Sequence, residues 1–186
     1  MSRNLQPWHW RSLPLENRTG SEVFAALFLQ AGTISTLLES PTVKNENLKN
    51  SRYSICAGTP RISNGNPQFW TPAIGEILPF LRQLIQLGKQ GNRGVGEEFA
   101  HLPFTGGWLG WLGYDLAWEI EHLPKIKTDS LPFPVAYWYE PENFAVLDHS
   151  EQILWLAATN ASQLDVLQGK LEEGKAAGEI QENKIE

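Results

Sequence analysis

The glycine-rich stretch GGWLGWLGYDL, at positions 106–116, constrains the fold of this chain more than any other segment. Its four glycines disfavour a helix, because each one costs about 1 kcal/mol relative to alanine in a helix interior. An extended strand fits better, with Trp108 facing one side and Trp111 the other. Glycines inside a strand mark places where a neighbouring backbone or side chain comes close. The stretch is therefore predicted to form a strand that is buried on both faces.

The composition is that of a soluble globular protein of 186 residues, with 41% hydrophobic and 19% charged residues. A chain of this length can form one domain with a sizeable core. The formal net charge of −6 gives no electrostatic attraction for a phosphate backbone, so nucleic acid is not an expected partner. No segment reaches the ~20 apolar residues of a membrane span, and the first residues lack an apolar signal core. We expect a cytoplasmic protein without a membrane partner.

Hydrophobic periodicity and turn residues predict helices and strands in mixed order along the first half of the chain. A first helix is expected to be capped by Ser21, and a strand at residues 33–40 is expected to pair with residues 52–58. A second helix is expected to start at the Thr-Pro pair 71–72, with Pro79 either kinking it or moving its start later.

In the second half, Asp115 is predicted to cap a short helix, and several strands follow. The last two strands are expected to be joined by a turn at His149–Gln152, before a helix at residues 161–173. Several neighbouring strands have no helix between them that could serve as a crossover. The order of elements therefore favours an α+β fold with mainly antiparallel strands and flanking helices.

The residue types do not form a recognisable catalytic set. Cys56 is the only cysteine and is expected to be a buried, inert thiol. The four histidines are dispersed, without the spacing of a metal site. Asp115, Glu119 and His122 would share one helix face, where a capping aspartate and a solvated glutamate are favoured over an acid–base or metal patch. The tryptophans favour core packing over a surface that stacks carbohydrates or cations.

Four blocks of sequence resemble a known enzyme family. In chain order they are TLLES (36–40), RYSICAGTP (52–60), LPFTGGWLGWLGYDLAWEIEHLP (102–124) and FAVLDH (144–149). Together they are similar to the amino-terminal region of component I of anthranilate synthase and aminodeoxychorismate synthase. The resemblance implies the amino-terminal half of the α/β sandwich of these chorismate-utilising enzymes. It also implies a domain at residues 1–165 and a helical, charged tail at 166–186, where the chorismate-binding half would begin.

The chemistry of the resembling family is the Mg²⁺-dependent attack of ammonia on chorismate. A glutamine amidotransferase subunit supplies the ammonia, and the carboxyl-terminal half of component I carries the ligands for chorismate and magnesium. The resemblance thus implies that this chain has no catalytic residues of its own and that Mg²⁺ is expected only with the chorismate-binding half. Its expected partners are that half and the amidotransferase subunit. The chain alone lacks the catalytic half, which leaves its status as an enzyme open.

One regulatory site of the family falls within the chain. In feedback-regulated members, the Leu-Glu-Ser of the LLES block and a lysine about ten residues later help to hold L-tryptophan between the two halves. These positions match Leu38, Glu39, Ser40 and, with a shift of one residue, Lys49. A carboxylate can accept from the ligand's ammonium group, and a lysine can pair with its carboxylate. The alternative is a strand end followed by a solvated loop.

The motifs leave the biosynthetic branch open. The blocks at 52–60 and 102–116 are more similar to the aminodeoxychorismate branch, which leads to para-aminobenzoate and folate, than to the tryptophan branch. Anthranilate synthase component I is the alternative, and a stand-alone tryptophan-binding or partner-docking module is a third hypothesis. In the first two cases the face toward the other half is uncovered, and we expect one side of the strand at 106–114 and residues 137–139 to form it.

Overall fold

The computed structural model describes residues 8–40, 51–91, 96–122, 124 and 133–182. The strands are β1 (His9–Pro14), β2 (Thr36–Leu38), β3 (Tyr53–Ala57), β4 (Ile62–Ser63), β5 (Asn66–Pro67), β6 (Phe69–Trp70), β7 (Leu109–Leu112), β8 (Ala136–Tyr139), β9 (Asn143–Asp148) and β10 (Ile153–Ala158). The helices are α1 (Gly20–Leu27), α2 (Ile77–Gly91), α3 (Ala117–Ile120) and α4 (Ala161–Glu182), with 3₁₀ turns at Glu97–Phe99 and Tyr114–Leu116.

The strands form two main antiparallel sheets. Five strands lie in the order β1-β10-β9-β3-β2, and three lie in the order β6-β8-β7. The antiparallel pairing of β2 with β3 confirms the predicted pairing of residues 33–40 with 52–58. The turn at His149–Gln152 between β9 and β10 is confirmed as well. Helices combined with antiparallel sheets make this an α+β fold, as predicted.

Three hydrophobic clusters lie between four layers of secondary structure. Helices α1 and α4 pack on one face of the five-stranded sheet, with Val23, Leu147 and Leu167 among the buried residues. The opposite face of that sheet packs against the three-stranded sheet through residues such as Phe144 and Tyr139. Helix α2 covers the far side of the three-stranded sheet. The order of layers is therefore helices, large sheet, small sheet, helix.

The glycine-rich stretch contributes only the short strand β7, and the prediction that it is buried on both faces is wrong. Leu109 is buried, whereas Trp111 is 45% exposed and Leu112 is 47% exposed. The strand that is buried on both faces is its neighbour β8, all four of whose residues are buried. The expectation that residues 137–139 form an uncovered face is wrong for the same reason. Among the described strands, β7 pairs only with β8 and lies at the edge of the sheet.

The glycines of this stretch allow close approach by other parts of the chain. A Cβ atom at Gly110 would overlap the backbone carbonyl oxygen of Tyr137. A Cβ atom at Gly106 would overlap the indole nitrogen of Trp8, and the φ of +114° at Gly106 is one that residues with side chains rarely adopt. The glycines of this stretch therefore allow the backbone to pack closely against a neighbouring strand and against an aromatic ring.

Two helix starts differ from the predictions. Helix α1 is capped by Thr19 rather than Ser21, in a capping box where the Thr19 hydroxyl accepts from the Glu22 N–H and the Glu22 carboxylate accepts from the Thr19 N–H. Helix α2 begins at Ile77 rather than at the earlier Thr-Pro pair. Pro79 therefore lies in the first turn, where a backbone N–H would have no hydrogen-bond acceptor within the helix. This confirms the alternative in which the proline moves the helix start.

Helix α4 runs without a break past residue 165 and includes the predicted helix at 161–173. Leu164, Leu167 and Leu171 belong to the core beneath the large sheet. On the neighbouring strand, the Arg11 guanidinium donates to the Asp165 carboxylate at 2.7 Å and so ties the helix to β1.

Candidate functional site

A pocket of about 390 Å³ lies where β2 ends beside β3. It is lined by Leu37, Leu38, Glu39, Ser40, Tyr53, Ile55 and Pro103. Three of the four residues that the family resemblance assigns to tryptophan, Leu38, Glu39 and Ser40, thus line one pocket. The fourth, Lys49, lies outside the described residues.

Strand pairing explains why the pocket forms at this place. Leu38 is the last residue of β2 and pairs with Ile55, after which the chain leaves the sheet. Tyr53 and Ile55 lie two positions apart on β3 and so share one face of the strand. The Tyr53 hydroxyl donates to the backbone carbonyl of His101 at 3.4 Å, which brings the segment containing Pro103 to the rim. The pocket therefore has aliphatic and aromatic walls beside the polar residues at the end of β2.

The Glu39 carboxylate is held by donors from its own chain. It accepts from the backbone N–H of Gly20 at 2.6 Å, from the Ser21 hydroxyl at 2.7 Å and from the Ser54 hydroxyl at 3.3 Å. Burial acts to raise the pKa of Glu39, but the hydrogen bonds from Ser21, Gly20 and Ser54 outweigh it and hold the pKa below its usual value. The ionised carboxylate therefore joins the end of β2 to the amino terminus of α1, where a negative charge is favourable.

Behind Glu39, the Ser54 Oγ lies 2.9 Å from the Nε2 atom of His149. This contact is not a nucleophile–base pair of the kind used in acyl transfer. The Ser54 side chain is buried, at 2% exposure, and its neighbouring carboxylate contacts the serine. In a catalytic triad the carboxylate instead orients the histidine. No described carboxylate hydrogen-bonds the other ring nitrogen of His149.

Sequence reasoning missed the contact between Ser54 and His149, because the two residues lie 95 positions apart. The signal that could have found it is the register of the sheet. Tyr53 of β3 pairs with Asp148 of β9, so the turn that follows β9 lies beside the start of β3. The His149 N–H donates to the Arg52 carbonyl at 2.9 Å and fixes the turn there.

The other predicted patch, around Asp115 and Glu119, has a structural role. The Glu119 carboxylate accepts from the backbone N–H groups of Gly75, Ile77 and Leu78, and so caps α2 from across the structure. Asp115 makes no capping hydrogen bond. The expectation of a capping aspartate with a solvated glutamate is therefore wrong for both residues.

The part of the chain that the structure describes contains no group of three or more His, Cys, Asp or Glu side chains that could hold a metal ion. Cys56 is fully buried, as predicted, and burial raises the pKa of its thiol to about 12. None of the described helices is both long and apolar enough to cross a membrane.

Comparisons with known proteins give three informative relatives, while no protein-family model matches the chain. An anthranilate synthase component I-like protein of Synechocystis sp. is 55% identical over 170 residues, which cover 90% of this chain and 33% of that protein. Aminodeoxychorismate synthase component 1 of Bacillus subtilis is 38% identical over 135 residues, or 69% of this chain and 28% of that protein. Anthranilate synthase component 1 of Thermus thermophilus is 45% identical over 56 residues, or 30% and 12%.

The chain spans about one third or less of the length of these curated relatives. The matches include component 1 of both enzymes that the four sequence blocks resemble. At 55% identity, the alignment with the Synechocystis protein covers nearly the whole chain. The chain belongs to the family of anthranilate synthase component I and aminodeoxychorismate synthase component I.

Proposed function

We propose that this chain is the non-catalytic, amino-terminal domain of a chorismate-aminating component I, with structural and regulatory roles. It works with a complementary chorismate-binding half and with a glutamine amidotransferase subunit. We assign the binding of chorismate and Mg²⁺ to the chorismate-binding half. The observation that carries the proposal is the pocket at the end of β2, where Leu38, Glu39 and Ser40 line one cavity in a member of this family.

The regulatory ligand we assign to this pocket is L-tryptophan. The volume of about 390 Å³ is within the range of small-molecule sites, roughly 300–1,000 Å³. Leu37, Ile55 and Tyr53 offer apolar and aromatic surface of the kind that suits an indole ring. The Ser40 hydroxyl can hydrogen-bond the amino acid backbone of the ligand, and Lys49 is assigned to its carboxylate.

Of the two branches, we favour aminodeoxychorismate synthesis, which leads to para-aminobenzoate and folate. The aminodeoxychorismate synthase component of B. subtilis aligns with 69% of this chain, whereas the T. thermophilus anthranilate synthase component aligns with 30%. The alternative, anthranilate synthesis, is supported by the name of the Synechocystis relative, an anthranilate synthase component I-like protein.

Genetic complementation tests the catalytic partnership and the branch together. The chain is co-expressed with the chorismate-binding polypeptide of the same genome in two bacterial strains, one lacking aminodeoxychorismate synthase component I and one lacking anthranilate synthase component I. Growth without para-aminobenzoate that needs both polypeptides supports the proposal, and growth only without tryptophan supports the alternative branch. No growth in either strain, with both polypeptides soluble, overturns the partnership.

Calorimetric titration with L-tryptophan tests the regulatory role. We expect binding that Ser40→Ala removes, strongest when the chorismate-binding polypeptide is present. Ser12→Ala, which changes an exposed serine on β1, is the matched control and should bind like the wild type. Equal binding with and without the partner would favour the stand-alone sensor, and absence of heat in both titrations would overturn the tryptophan assignment.

A further inference from the structure

Glu39, Ser54 and His149 form a chain of hydrogen bonds with a defined direction. The Ser54 Oγ lies 3.3 Å from the Glu39 Oε1 and 2.9 Å from the His149 Nε2. A serine hydroxyl has one hydrogen to donate, and an ionised carboxylate can only accept. Ser54 must therefore donate to Glu39, and His149 must carry a hydrogen on Nε2 and donate it to Ser54. This arrangement accounts for both contacts of the Ser54 hydroxyl.

The far end of the hydrogen-bond chain reaches the pocket. Glu39 already accepts from three donors of its own chain, whereas a carboxylate offers about four acceptor positions. Its sequence neighbours Leu38 and Ser40 both line the cavity. Because the side chain of Glu39 is fixed to α1 and β3, the backbone on either side of it is fixed as well.

We propose that Ser54 and His149 are positioning residues of the pocket, which act on Leu38 and Ser40 by holding Glu39. The main role of Glu39 is then to fix the end of β2, and pairing with the ammonium group of a ligand is secondary. This inference rests on the proposed function in one respect, since it takes the pocket at β2 to be the ligand site.

A first experiment tests the arrangement without a ligand. The pKa of the Glu39 carboxyl is followed by ¹³C NMR, with Glu39→Gln used to assign the signal. We expect Ser54→Ala to raise this pKa because it removes a hydrogen bond to the ionised carboxylate. We expect His149→Leu to raise it because it removes the donor that orients and polarises the Ser54 hydroxyl toward Glu39. His149→Gln keeps an N–H donor and should preserve the low value, and the exposed His122→Leu is the control. An unchanged Glu39 pKa in both Ser54→Ala and His149→Leu would overturn the arrangement.

A second experiment tests its consequence for the pocket, using L-tryptophan and the full chain with its chorismate-binding partner. We expect Ser54→Ala and His149→Leu to weaken binding roughly fivefold, the effect of losing one hydrogen bond, and His149→Gln to restore it. If the wild type binds and all variants bind equally well, the positioning role is wrong. If the wild type does not bind, the proposed ligand is wrong, and the NMR result still decides the arrangement.

Discussion

The α-carbon of Gly110 on β7 lies directly against the backbone carbonyl of Tyr137 on β8, so closely that no Cβ atom fits between them. Gly110 pairs with Trp138 of β8, a strand that is buried on both faces. The glycine is therefore required by the spacing of two backbones. Its neighbours Trp111 and Leu112 remain half exposed on the same edge strand.

Gly110→Ala is expected to lower the free energy of unfolding by about 3 kcal/mol, because the added methyl group forces the two strands apart. Gly169→Ala is the matched control. Gly169 lies within α4 with no atom near the position of a Cβ, so alanine there should raise stability by roughly 0.5–1 kcal/mol. Urea denaturation measures both variants, and equal stabilities would contradict this account of the glycine-rich stretch.

Asp148→Asn is expected to lower the free energy of unfolding by about 2–4 kcal/mol. The Asp148 side chain is almost fully buried and accepts from the Arg52 guanidinium at 2.6 Å and from the backbone N–H groups of Ser150 and Glu151. Asp165→Asn, which alters an exposed ion pair with Arg11, should change stability by less than about 1 kcal/mol. If both variants lost a similar amount of unfolding free energy, the buried Asp148 would contribute no more than the exposed Asp165.

The lowered pKa of Asp148 also makes the stability of the protein depend on pH. Burial acts to raise its pKa, but the hydrogen bonds from Arg52, Glu151 and Ser150 hold the pKa below its usual value. The stability it contributes is therefore fully present above the pKa of an unfolded aspartate, about 3.9, and is lost as pH falls further through the folded value. The difference in the free energy of unfolding between the wild type and Asp148→Asn, measured by urea titration, should shrink below about pH 4. A difference that stays constant down to pH 2 would refute the linkage.

Glu119→Gln should weaken the start of α2, because the carboxylate accepts from the N–H groups of Gly75, Ile77 and Leu78. Burial acts to raise the pKa of Glu119, but those backbone hydrogen bonds lower it, so the ionised form is the one that caps the helix. We expect faster hydrogen exchange at Ile77 and Leu78 and a lower melting temperature. Asp115→Asn, which removes no capping bond, should leave both unchanged.

The edge of the small sheet is expected to bind hydrophobic dye in the isolated chain. Leu112 is 47% exposed and Tyr114 is 92% exposed beside it. The double variant Leu112→Lys/Tyr114→Lys should reduce dye fluorescence and self-association, with stability within about 0.5 kcal/mol of the wild type. Ile85→Lys changes a residue that is 50% exposed on α2 and serves as the control. If the control reduces the dye signal as much, the edge of β7 has no special role.

Local patterns in the sequence predict the elements that depend on neighbouring residues. The turn at His149–Gln152 and the buried thiol of Cys56 follow from residue types within a few positions. The pairing of β2 with β3 follows from two strand patterns that are consecutive in the chain. The α+β class follows from the order of these elements.

Contacts between distant residues escape such patterns. Glu119 caps a helix 42 positions earlier, and Ser54 meets His149 across 95 positions. Each contact depends on strand register or on how layers pack, which no local spacing encodes. For the same reason, the sequence pattern predicts burial on both faces for β7, whereas β8 is the strand that has it. Only the strand pairing shows that β8 is the central strand of the small sheet.

We propose that this chain is one domain of a larger component I, and its association with the region that its relative carries outside the alignment is the decisive measurement. The partner to use is the part of the Synechocystis relative outside the aligned third. Size-exclusion chromatography with light scattering should give a one-to-one complex at micromolar concentration, with loss of dye binding and a weaker complex for Leu112→Lys/Tyr114→Lys. Two species that elute separately, with the isolated chain a dye-silent monomer that melts cooperatively, would rule out this association and support an independent module.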